Sequence, residues 1–312
     1  MEILIQFLLL ILGFVMLVKG ADWFVDGAAG IAGKFGIPQL VIGLTIVAMG
    51  TSAPEAAVSI TAATKGNADI TIGNVVGSNI LNVLVILGVT SVIVAVAVAK
   101  STVKYEIPYM LFVSVLLLVF GYTDNTISFI EGVMLWVAFI VYLTYLFIMA
   151  KNNKEETPDD EKEKPVWLLI LLVIIGVVLI VKGSDVAVAA ATKIAQAAHL
   201  SERFIGLTIV ALGTSLPELV TSVTAARKGK ADIAIGNIVG SNMFNILFVV
   251  GTTALIIPVP FAANFIIDMV ISIAAGVVLW LCVLKNHKLG RAGGSIMLVG
   301  YAGYLAYLLM LR

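Results

Sequence analysis

The chain is poor in charge: Asp, Glu, Lys and Arg make up only 12% of its 312 residues. A soluble protein of this length could not cover its surface with so few. The 19 basic and 19 acidic residues cancel, so no net field invites nucleic acid. A single cysteine, Cys282, excludes an internal disulfide and leaves the redox compartment unreadable. The two histidines, His199 and His287, fall in loops without a second ligand at useful spacing and read as surface residues. No Ser/His/Asp constellation, phosphate-cradling loop or dinucleotide fingerprint is present, which argues against an enzyme and against a bound cofactor. What is abundant is apolar: 61% of residues are hydrophobic and the mean hydropathy is +1.10. Apolar runs recur near the ~20 residues that span a bilayer as a helix. The reading is an all-α integral membrane protein, with the bilayer as its partner and no obligate protein partner evident.

The first run, Ile3 to Val18, follows Glu2 rather than a basic stretch and leads into Lys19-Gly20-Ala21-Asp22. Lys182-Gly183-Ser184-Asp185 follows a similar run later in the chain. A cleaved signal peptide has no reason to be copied inside the mature protein, so this is read as a transmembrane helix.

That copy belongs to an internal repeat. TIVAMGTSAPE (45–55) returns as TIVALGTSLPE (208–218), KGNAD (65–69) as KGKAD (228–232), and GNVVGSNILN (73–82) as GNIVGSNMFN (236–245). All are offset by 163 positions. Each copy holds five apolar segments, near 3–24, 38–63, 69–96, 106–121 and 127–150, then near 166–187, 201–226, 232–256, 264–284 and 290–311. The expected organisation is a first repeat over 1–150, a charged linker over 151–165 and a second repeat over 166–312.

Five is odd, so the second copy should enter the membrane with inverted topology, as in many secondary transporters. Ten transmembrane helices result. Thirteen Lys and Arg lie on the linker side, against four on the other (Lys65, Lys193, Arg203 and Arg312). The positive-inside rule then puts the linker in the cytoplasm and both termini outside, across a cell membrane.

Glu55 and Glu218 sit at mid-depth in segments 2 and 7, where a bare carboxylate costs about 2.5–3.5 kcal/mol. A purely structural alternative pairs them with Lys19 and Lys182. Those lysines lie near segment ends, where they can snorkel or pair with Asp22 and Asp185. Pro54 and Pro217 should break helices 2 and 7 around Gly50-Thr51-Ser52 and Gly213-Thr214-Ser215, freeing carbonyls beside four hydroxyls. Such oxygens suit Ca²⁺ and Na⁺ rather than zinc or copper. In segments 3 and 8, Asn74, Ser78 and Asn82 form an i, i+4, i+8 stripe, repeated by Asn237, Ser241 and Asn245. Asn82 and Asn245 should face the glutamates. Asn74, Asn79, Asn237 and Asn242 read equally well as site residues or as glue between helices, and Gly73, Gly77, Gly236 and Gly240 permit close approach. Glu106, Asp124 and Asp268 read as interfacial.

The paired GTS-x-PE and GN-x-x-GSN motifs resemble the α-repeats of the calcium/cation antiporter superfamily, specifically its prokaryotic sodium/calcium exchanger-like branch. The resemblance covers essentially the whole chain. It implies alternating access, with Ca²⁺ extruded as Na⁺ enters and segments 1 and 6 sliding across the other eight. It also implies that Glu55 and Glu218 are central carboxylates shared by both ions. Thr51 and Thr214 would offer carbonyls to Ca²⁺. Ser52, Ser78, Ser215 and Ser241 would line Na⁺ sites with the carbonyls of Ala48 and Ala211, and Asn82 and Asn245 would complete the cluster. Well-known sodium/calcium exchangers carry an aspartate where this chain has Asn245, so the core holds two acids and the Na⁺ count is open. Other readings are a Ca²⁺/H⁺ antiporter in which both glutamates carry protons, a K⁺-dependent variant, and a cation channel. Proton-coupled relatives usually carry a glutamate in the segment 3 and 8 motifs, which GNVVGSN and GNIVGSN lack.

Overall fold

The computed structural model describes residues 2–153, 164–197 and 211–310. His199, Arg203, Arg312, most of the linker and the first half of segment 7 lie outside the described residues. Apart from four two-residue strands and the short connections, the described residues are helical. In chain order the helices are α1 (Glu2–Phe35), α2 (Gln39–Thr51), α3 (Ala53–Thr64), α4 (Ile70–Ile93), α5 (Thr102–Asp124), α6 (Phe129–Asn152), α7 (Val166–Ala197), α8 (Ala211–Thr214), α9 (Leu216–Arg227), α10 (Ala231–Ile256), α11 (Phe265–Leu284) and α12 (Arg291–Met310). Among the described residues eight helices are long and apolar enough to cross a membrane, and the pair α2–α3 makes a ninth, broken span.

Burial orders these helices from centre to rim. In α10, 94% of the apolar window is buried within the protein, against 17% in α1 and 11% in α12. Helices that are apolar all round and inward on every face form the core, while α1, α6, α7 and α12 present Leu, Ile, Val and Phe outward to lipid. α10 packs on α2 and α9, α4 on α12, α5 on α11, and α6 on the C-terminal part of α10.

α1 and α7 run together and are longer than expected, 34 and 32 residues, because apolar and alanine-rich sequence continues past Asp22 and Asp185. Their crossing is built from glycine. A Cβ on Gly13 would sit 2.7 Å from the Ala187 nitrogen and 2.8 Å from the Gly183 oxygen; one on Gly176 would sit 2.7 Å from the Phe24 nitrogen and 2.8 Å from the Gly20 oxygen. Gly13 and Gly20 correspond to Gly176 and Gly183 at the 163-residue offset, so one half of the crossing restates the other. Gly236 and Gly240 let α10 approach the backbone of α2 in the same way.

Two short antiparallel ladders tie the two halves, Val96–Ala97 with Lys288–Leu289 and Thr126–Ile127 with Val259–Pro260. They satisfy backbone groups where helices end and were not expected from the sequence.

Candidate cation site

Both expected breaks are present. α2 and α3 meet at Ser52 with a 50° bend, and Pro54 stands in the first turn of α3. α8 and α9 meet at Ser215, with Pro217 placed likewise. Proline has no N–H for the carbonyl four residues back, so Gly50 and Gly213 lose their helical donors. The Gly213 oxygen is taken by the Ser184 hydroxyl of α7 at 2.7 Å. The side chains of Glu55 and Glu218 emerge one turn past each break and are fully buried.

Each broken helix is held by an asparagine of the neighbouring core helix. Asn74 Nδ2 donates to Ser59 Oγ at 2.9 Å and to the Glu55 carbonyl at 3.2 Å. Its counterpart Asn237 donates to Ser222 Oγ at 2.9 Å and to the Glu218 carbonyl at 3.4 Å. These two asparagines therefore hold the glutamate-bearing turns. Ser59 and Ser222, which lie outside the two motifs, also stand 163 positions apart, and that spacing is the signal that finds them.

Between α4 and α10, four asparagines bond crosswise. Asn82 Nδ2 donates to Asn242 Oδ1 at 2.9 Å, and Asn245 Nδ2 to Asn79 Oδ1 at 3.1 Å. Asn79 and Asn242 each donate to the other's backbone carbonyl at 3.3 Å. Both helices turn π-helical here, over Leu81–Leu87 and Asn245–Val250. Single-turn π segments re-aim side chains and recur at functional sites.

The two halves differ where the breaks meet this core. Ser52 Oγ donates to Glu218 Oε1 at 2.8 Å, and Thr51 Oγ1 to Asn237 Oδ1 at 2.9 Å. Ser241 Oγ reaches the Ala48 carbonyl at 3.4 Å. In the other half, Ser215 Oγ and both carboxylate oxygens of Glu55 are buried without a hydrogen-bond partner among the described residues, and Thr214 is only half-buried. Glu218 Oε2, Asn82 Oδ1 and Asn245 Oδ1 are likewise unpartnered. Six oxygens of five residues are thus buried and unspent, although each such group costs about 1–3 kcal/mol. A cavity of ≈ 310 Å³ is lined by Pro54, Asp185, Val188, Thr214 and Pro217, the chain neighbours of Glu55, Ser215 and Glu218 among them.

Among the described residues no group of three or more His, Cys, Asp or Glu forms a metal cluster. A cation here would meet two carboxylates supplemented by neutral hydroxyl, carbonyl and amide oxygens, a hard donor set. Of the described side chains expected at the site, Thr51, Ser52, Glu55, Ser78, Asn82, Ser215, Glu218, Ser241 and Asn245 are buried, as is Ala48, and Thr214 is half-buried. The side chain of Ala211 lies outside the described residues.

The lysines keep away from the glutamates. Lys182 pairs with Asp185 at 3.6 Å on the surface. Asp22 is met by Lys228, which lies 3.2 Å from it and 2.8 Å from Asp26. Glu106 stands near the start of α5, as the sequence led us to expect, but it is fully buried within the protein, and one oxygen accepts from the Tyr145 hydroxyl. A tyrosine from α6 supplied what the position near a segment end could not reveal.

A family model for sodium/calcium exchanger proteins matches this chain twice, over residues 5–148 and 168–310. The chain is 36% identical to the sodium/calcium exchanger MaX1 of Methanosarcina acetivorans, covering 98% of this chain and 99% of that protein. It is 33% identical to the inner membrane protein YrbG of Escherichia coli, covering 96% and 95%. Its fold resembles that of the sodium-calcium exchanger NCX_Mj with a TM-score of 0.84, at 32% identity, over 98% of this chain and 99% of that one. This chain is a multi-pass membrane protein and a member of the sodium/calcium exchanger family, of the prokaryotic exchanger-like kind.

Proposed function

We propose that the protein is a Na⁺/Ca²⁺ antiporter working by alternating access, extruding Ca²⁺ as Na⁺ enters. The observation that carries this is the pair of like-built halves, each offering one buried glutamate from a broken helix, with Thr51 and Ser52 bonded across to Asn237 and Glu218 while Ser215 Oγ has no partner among the described residues. Glu55 and Glu218 would share the ions, with Thr51 and Thr214 as carbonyl donors. Ser52, Ser78, Ser215, Ser241, Asn82, Asn245 and the carbonyls of Ala48 and Ala211 would complete the shells. Two negative charges match one Ca²⁺ or two Na⁺ directly, and exchange follows if the same oxygens serve both.

The wider architecture we infer is ten transmembrane helices in two inverted repeats, 1–150 and 166–312, joined by a cytoplasmic linker, with both termini outside. Reciprocal bonding of residues 163 apart supports a two-fold relation between the repeats, and five spans per repeat would set its axis in the membrane plane. Kinship with the inner membrane protein YrbG supports placement in the cell membrane.

The test is reconstitution in liposomes loaded with Na⁺ and diluted into Na⁺-free medium. The expected result is Ca²⁺ uptake that tracks the Na⁺ gradient. Uptake that ignores Na⁺ and follows a pH gradient would replace this reading with Ca²⁺/H⁺ exchange. That alternative draws on the Glu55 carboxylate, which has no hydrogen-bond partner among the described residues and could hold a proton once Ca²⁺ leaves.

A further inference from the structure

The amide of a ligand asparagine has two faces, and only its oxygen can bind a cation. Which face points inward is normally a free 180° choice, so a cation site that uses asparagine needs something to fix it. Here the fixing groups are visible. The nitrogen of Asn245 is spent on Asn79 Oδ1 and that of Asn82 on Asn242 Oδ1, while both ligand oxygens stay buried and unpartnered. Asn79 and Asn242 cannot themselves turn over, because each commits its own nitrogen to the carbonyl of the other. A flip of any one amide would set oxygen against oxygen.

We propose that Asn79 and Asn242 are positioning residues, each clamping the ligand asparagine of the opposite repeat with its oxygen toward the cation. The inference rests on the cation-site reading of Asn82 and Asn245. It separates two roles that gluing helices together would merge: the donor side of Asn79 holds backbone, while its acceptor side holds Asn245. It also pairs residues crosswise, 79 with 245 and 242 with 82, rather than within a repeat.

The test is Ca²⁺ binding to the purified full chain by calorimetry in Na⁺-free buffer, read as a double-mutant cycle. Asn79→Leu and Asn245→Leu are each expected to raise the Kd about tenfold, the effect of one hydrogen bond worth about 1.4 kcal/mol. Because both remove the same oriented oxygen, the double variant should be no weaker than the worse single one. Asn79→Leu combined with Asn82→Leu should instead multiply, to about a hundredfold. The mirror pair Asn242 and Asn82 repeats the cycle should either Asn79 variant fail to fold. Equal coupling of Asn79 to Asn82 and Asn245, or an unchanged Kd with a lowered melting temperature, would reduce Asn79 to helix glue and overturn the proposal. Wild-type protein that binds no Ca²⁺, or binding unaltered in Glu55→Gln, would overturn the site reading and this inference with it.

Discussion

At the scale of single residues, the two glutamates stand in the same turn of the same motif yet in different surroundings. Glu218 receives the Ser52 hydroxyl, whereas Glu55 receives nothing from Ser215. Removing either charge leaves one carboxylate to face a divalent ion, so Glu55→Gln and Glu218→Gln should each lower Ca²⁺ exchange at least about a hundredfold. Transport assays in liposomes check this, and full activity in either variant would remove that residue from the site. Asn245→Asp poses a subtler question. Asn79 Oδ1 accepts from position 245, and an ionised aspartate has no proton to donate. The introduced carboxyl should therefore keep its proton against Asn79 at low pH and give it up to a cation at higher pH. The expected outcome is Ca²⁺ affinity that rises with pH in Asn245→Asp, more steeply than in the parent chain. A flat, parent-like pH profile would mean that position 245 does not reach the ion. The glutamates were legible in the sequence because nothing else justifies a carboxylate at that depth twice. The role of Asn79 was not, since gluing and clamping ask for the same residue and differ only in which atom faces which partner.

At the scale of elements, motif and composition located the broken helices well but not the lengths or the internal geometry of the others. Pro54 and Pro217 dictated the breaks, as the absence of an N–H requires. The π-helical turns at Leu81–Leu87 and Asn245–Val250 carry no proline and no composition signal. They depend on packing around the asparagine network and so were invisible. The expected segments end near 24 and 187, yet α1 and α7 continue past Asp22 and Asp185, which lie part-exposed and exposed on their flanks. The glycines of this pair make a prediction about an element rather than a site. Gly176→Val would drive a Cβ into the backbone of Phe24 and Gly20, overpacking that costs about 1–3 kcal/mol. Gly303 of α12 has nothing within 4 Å of its would-be Cβ, so Gly303→Val is the matched control. Thermal unfolding in detergent should show a melting point lowered by several degrees, roughly, for Gly176→Val and little change for Gly303→Val. Equal melting points would show that the α1–α7 crossing can widen freely.

At the scale of the molecule, the departures from two-fold symmetry agree with one another. Where Thr51 and Ser52 close on Asn237 and Glu218, α1 is also pinned to the core by Lys228, which bridges Asp22 and Asp26. Where Thr214 and Ser215 do not close, Asp185 lines a cavity and, among the described residues, pairs only with Lys182 of its own helix. Lys65 is the counterpart of Lys228, Asp185 of Asp22, and Ala189 of Asp26. In the opposite state of an alternating cycle, Lys65 would thus find one acid where Lys228 finds two. The ion pairs are half-exposed, so each is worth at most about 1 kcal/mol. That is still enough to tilt two states of similar energy by about fivefold. Lys228→Ala should accordingly lower the share of the state seen here. A cysteine placed at Val188, in the Cys282→Ala background, reports on the cavity beside Asp185. Its labelling rate by a water-soluble maleimide should fall several-fold when Lys228→Ala is added, while Lys65→Ala leaves it the same or raises it. Labelling that ignores Lys228 would mean that the lysine decorates the closed side without holding it. Closure would then rest on the Thr51–Asn237 and Ser52–Glu218 bonds alone.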